Sequence, residues 1–283
     1  MESGVSGEGS PGRLFVVSTP IGNMGDFSFR AVEVLKSVAL VLAEDTRHSR
    51  TLLQRYEIGT PMQAYHEHNE ARSTPGLIER LHGGDDLALI SDAGTPLLSD
   101  PGGRLVRAAI EAEIAVVPVP GASAMLAALV ASGLTADRFT FFGFLARKGA
   151  EREVSIRALV ELPHTAIVYE SPARLADTLA ELAAAGAAER QAAVAREMTK
   201  HYEEVRRGTL GELAAYYKES PPRGEVVLLV GGGSAAVPSD DELRRRAREL
   251  RDEGMSVRDV TATLVGEFGV GRNRVYRLVR EVE

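Results

Sequence analysis

Apolar positions fall along the chain in two kinds of block. Leu14-Phe15-Val16-Val17, Ala39 to Ala43, Leu87 to Ile90 and Ile114 to Val119 are short unbroken apolar runs. That is the pattern of strands covered on both faces in a parallel sheet. Between the runs, apolar residues recur at helical spacing: Phe29, Val32, Val34, Leu35 and Val38; Leu52, Leu53 and Tyr56; Leu77, Ile78 and Leu81; and again across 105–110. This alternation predicts an α/β unit, a mostly parallel sheet with helices on its faces.

Pro118-Val119-Pro120-Gly121 marks a boundary, and a second α/β unit follows. Its pattern predicts a helix over 123–132, a strand over 140–142, a helix over 153–162, a strand over 165–169 and a helix over 173–184. The rhythm then changes. Residues 192–198 and 202–208 read as a hairpin, 210–217 as a short helix and 225–230 as a last strand. Gly231-Gly232-Gly233-Ser234 reads as a linker, and the chain beyond it is helical and charged, with helices over 257–268 and 272–282 around Gly269-Val270-Gly271. The organisation expected is a flexible tail (1–12), two α/β domains (13–119 and 120–232) with a cleft between them, and a small helical extension (240–283).

Composition narrows the chemistry. The chain has 283 residues, is 44% hydrophobic and 26% charged, and contains no cysteine. Thiol nucleophiles, iron–sulfur clusters and zinc-thiolate sites are therefore excluded. The net charge of −7 means that any nucleic-acid contact must come from local basic patches. No apolar stretch reaches the ~18 residues that span a bilayer. The six histidines form no ligand set with carboxylates, so no metal is expected.

Four loops, each directly after a strand, carry the candidate chemistry, because open α/β sheets bind ligands at the carboxyl ends of their strands. The first is Thr19-Pro20-Ile21-Gly22-Asn23-Met24-Gly25-Asp26, with Asp26 near a helix start. The second is Ala43-Glu44-Asp45-Thr46-Arg47-His48, more polar than a helix cap requires. The third runs from Ser91 to Gly103, where two Ser-Asp pairs bracket Gly94-Thr95-Pro96. The fourth, Pro120-Gly121-Ala122-Ser123-Ala124, opens a helix on small residues. No phosphate loop, nucleophile elbow or zinc-helix motif occurs.

These loops resemble the bacterial 16S ribosomal RNA ribose methyltransferases of the tetrapyrrole methylase superfamily. The resemblance also takes in Tyr169-Glu170-Ser171-Pro172-Ala173-Arg174 and Ala195-Arg196-Glu197-Met198-Thr199-Lys200, in the same order, and spans about residues 13–232. It implies two α/β domains with S-adenosylmethionine in the cleft, lined by Thr95, Leu98, Ser123, Ala124, Glu170 and Met198. It further implies a cytoplasmic homodimer that methylates the 2′-hydroxyl of a cytidine in the decoding centre of the small ribosomal subunit. Tetrapyrrole-methylating relatives carry Gly-Asp-Pro where this chain has Gly94-Thr95-Pro96, which counts against a porphyrin-type substrate.

The chemistry fits the residue types. A sulfonium methyl is already activated, so what remains is to align the acceptor oxygen and to take its proton. Asp45, Asp92 and Asp100 are the candidate bases, with Glu44 and Asp26 behind them. Arg274, Arg277 and Arg280 on the last helix are candidate RNA contacts. A tetrapyrrole C-methyltransferase remains the alternative; its polycarboxylate substrate would call for several arginines, and Arg47, Arg50 and Arg196 are available. A nucleotide hydrolase lacks a phosphate loop. A DNA-binding regulator would rest on the terminal helix pair alone, and no DNA partner is expected.

Overall fold

The computed structural model describes residues 10–233, 239–268 and 270–282. Five strands build the first sheet: β1 (Leu14–Val17), β2 (Leu40–Ala43), β3 (Met62–Ala64), β4 (Leu87–Ile90) and β5 (Val116–Val119). Their order is β3-β2-β4-β1-β5, and every pairing is parallel. The three inner strands are buried at every position, which is why they read as unbroken apolar runs. Helices α1 (Phe29–Ser37), α2 (Thr46–Arg55), α3 (Glu70–His82) and α4 (Gly103–Glu111) cover the two faces. One face holds Phe15, Val17, Leu35 and Leu53, the other Leu14, Leu42, Leu81 and Leu105.

After α5 (Ala124–Ser132) comes a second sheet: β6 (Phe139–Phe144), β7 (Thr165–Glu170), β8 (Gln191–Arg196), β9 (Glu204–Thr209) and β10 (Val226–Val230). Its order is β6-β7-β10-β8-β9. Only β6 and β7 are parallel; β8 and β9 form the expected antiparallel hairpin, and β10 inserts antiparallel between β7 and β8. Helices α6 (Ala150–Glu161), α7 (Leu175–Leu182) and α8 (Leu210–Glu219) pack on one face, while α5 packs on the other.

Two expectations change. Gly231 to Gly233 are not a free linker: the Gly231 amide donates to the Gln191 carbonyl at 2.7 Å and that of Gly233 to Leu162 at 2.9 Å. A Cβ on Gly232 would lie 2.3 Å from the Pro163 carbonyl oxygen, so glycine serves close packing there. Ser234 lies outside the described residues, as does most of the predicted tail, but Gly12 is buried and its amide donates to Leu81. The second change is β3, an edge strand of three residues that the sequence pattern does not mark.

The extension is a three-helix unit, α9 (Asp240–Asp252), α10 (Val257–Phe268) and α11 (Arg272–Glu281), around its own core of Leu243, Leu250, Val260, Leu264, Val275 and Leu278. Among the described residues no helix is long and apolar enough to cross a membrane.

Candidate active site

The loops after β1, β2, β4 and β5 leave the same edge of the first sheet, because parallel strands share one carboxyl end. They are tied to one another. The Thr19 and Gly94 backbones bridge, with the Thr19 amide donating to the Gly94 carbonyl at 2.8 Å. Thr95 Oγ1 donates to the Ala122 carbonyl at 3.1 Å and lies 3.0 Å from Ser18 Oγ. One hydroxyl thus fastens three loops.

A cavity of about 400 Å³ opens between this edge and the second sheet, within the ~300–1,000 Å³ typical of small-molecule sites. Thr95, Leu98, Ala124, Glu170 and Met198 all line it, together with Asp92, Asp100, Phe144 and Tyr169. Ser123 does not line it; it caps α5, its hydroxyl accepting from the Leu126 amide. Tyr169 is wedged between Phe141 and Phe144, with ring centroids 4.8 and 5.6 Å away and the rings inclined at 72° and 58°, and lines the cavity together with Phe144.

The Glu170 carboxylate is spoken for. It accepts from the Ser171 amide at 2.8 Å, from Arg174 Nε at 2.7 Å and from Thr178 Oγ1 at 2.7 Å, and its side chain has no exposed surface. What it contributes is the fixed end of β7, where the cavity wall turns.

The candidate carboxylates separate. Asp45 caps α2 and is held by Arg47 through two side-chain contacts of 3.1 and 2.9 Å. Those bonds push its pKa down to about 2, and it lies outside the cavity. Asp92 lines the cavity; one of its oxygens accepts from the Asp45 amide at 3.2 Å. Asp100 also lines it, and burial, reinforced by the charges of Glu44 and Asp92, pushes its pKa up to about 6. Glu44 is raised as well, first by burial and then by Asp92. Asp26 sits in a 3-10 turn capped by Asn23, and Ser28 rather than Asp26 starts α1.

Strain marks the same loops. Six non-glycine residues among those described have positive φ, and four of them, Leu97, Ser99, Glu197 and Thr199, lie in the two loops that face each other across the cavity. Such conformations cost about 1–3 kcal/mol each and persist where the surroundings hold them for a purpose. Phe144 carries no signal in the sequence, and Tyr169 and Ala195 open two of the motifs behind the resemblance without being assigned to the lining; all three reach the cavity from strands of the second sheet.

A second cavity of about 260 Å³ adjoins the first and shares Ile21, Asp92, Ala93 and Glu225 with it. Arg47, Arg50 and Arg196 line neither cavity, and Lys200 is the one lysine or arginine among the lining residues. Arg196 is paired instead with Glu204 at 2.7 Å.

The model of the tetrapyrrole (corrin/porphyrin) methylases matches residues 13–214. This chain belongs to that family. Tetrapyrrole methylases are methyltransferases, and so is this chain. Among curated proteins it is 44% identical to a ribosomal RNA small subunit methyltransferase I of Synechocystis, over 96% of this chain and 99% of the relative. It is 54% identical to the protein of that name from Pseudomonas aeruginosa, over 72% of each chain. Among solved structures, a uroporphyrin-III C-methyl transferase from Thermus thermophilus complexed with S-adenyl homocysteine matches with a TM-score of 0.57. It is 19% identical and covers 78% of this chain and 97% of its own, a likeness of fold.

The three arginines expected to meet RNA are placed unequally on α11. Arg274 pairs with Asp240 of α9 at 2.6 Å. Arg277 is exposed, 4.0 Å from Asp240 and 3.9 Å from Glu281. Arg280 is exposed too. Reading α11 alone, Glu281 is its first acidic partner; the fold adds Asp240 from another helix.

Proposed function

We propose that the protein transfers a methyl group from S-adenosylmethionine to 16S ribosomal RNA of the small ribosomal subunit, at the 2′-hydroxyl of a cytidine in the decoding centre. The names of its relatives support the rRNA substrate, and the solved neighbour with S-adenyl homocysteine supports the donor. The observation that carries the choice over a tetrapyrrole substrate is the lining of the two cavities. It contains Asp92, Asp100 and Glu225 but a single lysine and no arginine, and a polycarboxylate macrocycle would meet negative charge there without neutralising partners.

The residues present fit the donor. Leu98, Tyr169, Met198 and Val227 offer apolar surface for an adenine ring, and the small Ala93 and Gly94 allow close approach of backbone. When bound, S-adenosylmethionine supplies an activated methyl on its sulfonium. The chain's own contribution is to hold the acceptor oxygen in line and to receive its proton. Of the two carboxylates shared by both cavities, Glu225 is paired with Lys200, which leaves Asp92 as the one to receive the proton; Asp100 and Glu44 are its charged neighbours. The homodimer and the cytoplasmic setting belong to the same reading.

Thr95→Arg tests the donor site. The longer, charged side chain fills the cavity and breaks the hydroxyl link to Ala122 and Ser18. Titration calorimetry should show S-adenosylmethionine binding abolished while circular dichroism stays that of the folded parent. Undiminished affinity removes the donor from this cavity.

The extension is proposed to hold the ribosomal substrate. Arg277 and Arg280 are the residues to change because both are exposed on α11, whereas Arg274 is half-buried in its pair with Asp240. Arg277→Glu with Arg280→Glu should weaken small-subunit binding and leave donor affinity untouched. The log–log salt dependence of that binding should flatten by roughly 0.7–0.9 for each phosphate that is no longer neutralised. A parent-like salt slope assigns the unit a structural role.

A further inference from the structure

The smaller cavity has a composition of its own. Pro20, Ile21, Gly22 and Met24 of the loop after β1 form one side, and His48, Ser49, Thr51 and Leu52 of α2 form the other. Ser91, Asp92 and Ala93 line it from the loop after β4 and Lys200 and Glu225 from the second sheet; Asp92, Ala93 and Glu225 border the larger cavity as well.

Three features restrict what fits. The volume of about 260 Å³ equals roughly eight or nine waters at about 30 Å³ each, room for a single nucleoside and too little for a macrocycle. The one lysine or arginine among the described lining residues is already paired: Lys200 Nζ lies 3.1 Å from Glu197 and 3.0 Å from Glu225, and its stem packs against Gly22. A phosphate would therefore find no uncommitted cation here and would face Asp92. The third feature is a hydroxyl without a partner. Ser49 is 2% exposed, and its Oγ makes no hydrogen bond with any described residue. Buried hydroxyls are as a rule bonded, and an unpaired one costs about 1–3 kcal/mol. Small rotation of this side chain toward the cavity it lines would give it a partner in a bound molecule.

We propose that this cavity is the acceptor subsite and takes the neutral ribose and base of one flipped-out ribonucleotide, with Ser49 bonding a polar edge and the phosphates left outside. A target nucleotide inside a folded RNA must leave its stack to reach such a recess. The ribose then lies beside Asp92, facing the donor. The assignment rests on the rRNA-methylation reading and adds to it where the acceptor sits and what chemistry recognises it.

The test uses the full chain and small ribosomal subunits with labelled S-adenosylmethionine. Thr51 is exposed on the cavity's rim, so Thr51→Tyr adds bulk there without touching the core. Its kcat/KM for subunits should fall by roughly 10²-fold, the cost of misplacing reactants by about an ångström, while S-adenosylhomocysteine affinity stays at the parent's value. Ser49→Ala, a smaller change at a buried position, should raise KM by roughly 2–10-fold, the worth of one hydrogen bond.

Methionine-methyl NMR supplies an arm independent of turnover. Met24 lines the smaller cavity and Met198 the larger. S-adenosylhomocysteine should shift Met198, and cytidine added afterwards should shift Met24. Parent-like kcat/KM in Thr51→Tyr, or cytidine that leaves Met24 unmoved, overturns the assignment. If instead the parent transfers no methyl to small subunits, the rRNA reading fails, and the NMR arm still decides whether a nucleoside occupies the recess.

Discussion

Asp92→Asn is expected to slow single-turnover methyl transfer by roughly 10²–10⁴-fold, the usual contribution of a positioned base, with S-adenosylmethionine still bound. The shape is kept: an amide oxygen can still accept from the Asp45 amide, as Asp92 does at 3.2 Å. Only the ability to take the proton is lost. The corresponding change at Asp45 should leave chemistry near the parent rate, because that carboxylate is tied to Arg47 and lies outside the cavity. The pH profile gives a second reading. Asp100 lines the same cavity, and burial has moved its ionisation up to about 6, so the parent rate should change with pH through that region. Asp100→Asn removes that ionisation and should flatten the profile in this region. A parent-like rate in Asp92→Asn would mean that alignment alone carries the reaction.

Much of this arrangement is written in the chain's pattern. The inner strands Leu14–Val17, Leu40–Ala43 and Leu87–Ile90 are buried on both faces, and that condition produces an unbroken apolar run. Loops after such strands converge because parallel strands end at one edge, so the Asp92–Asp100 loop after β4 could be placed beside the loops after β1, β2 and β5 from the pattern alone. Met62-Gln63-Ala64 was not legible: a three-residue edge strand exposes its middle side chain and needs no apolar run. Gly231 to Gly233 failed for a different reason. A glycine needed for close approach to Pro163 and Gln191 looks, in sequence, the same as one in a loose tether.

The site shows the same limit on a finer scale. Sequence order brings Glu170 to the cavity, and the residue is there, but what its carboxylate touches depends on Arg174 and Thr178 one helical turn and two turns further on. Phe144 comes from a strand, where an aromatic side chain is ordinary, so nothing marks it as a wall of a ligand site until the second sheet is folded against the first, and Tyr169 is marked only by opening the motif that holds Glu170. Likewise, the charge balance of α11 depends on Asp240, 34 residues before Arg274.

Glu170→Ala should cost about 3–5 kcal/mol of stability, the penalty for removing one partner of a buried, bonded ion pair. Four groups depend on that carboxylate. Arg174 loses its 2.5 Å ion pair and keeps only a 3.2 Å bond to the Leu145 carbonyl. Thr178 loses its acceptor while still receiving a bond from Arg152 at 2.9 Å, and the Ser171 amide loses its partner at the start of the turn. Arg152, itself buried, is anchored through Thr178 and through Glu181 at 2.8 Å, so the disturbance reaches α6. At roughly 2–4 °C per kcal/mol, the melting transition should fall by about 6–20 °C. Glu170→Gln retains an acceptor for Thr178 and should recover part of that loss, though not the charge opposite Arg174. Donor affinity distinguishes support from direct contact. If Glu170 acts only by holding the end of β7, then S-adenosylmethionine binding to the folded Glu170→Gln protein, measured well below its transition, should stay within a few-fold of the parent. A far larger loss of affinity with little change in melting temperature would show the carboxylate turning from Arg174 to the ligand.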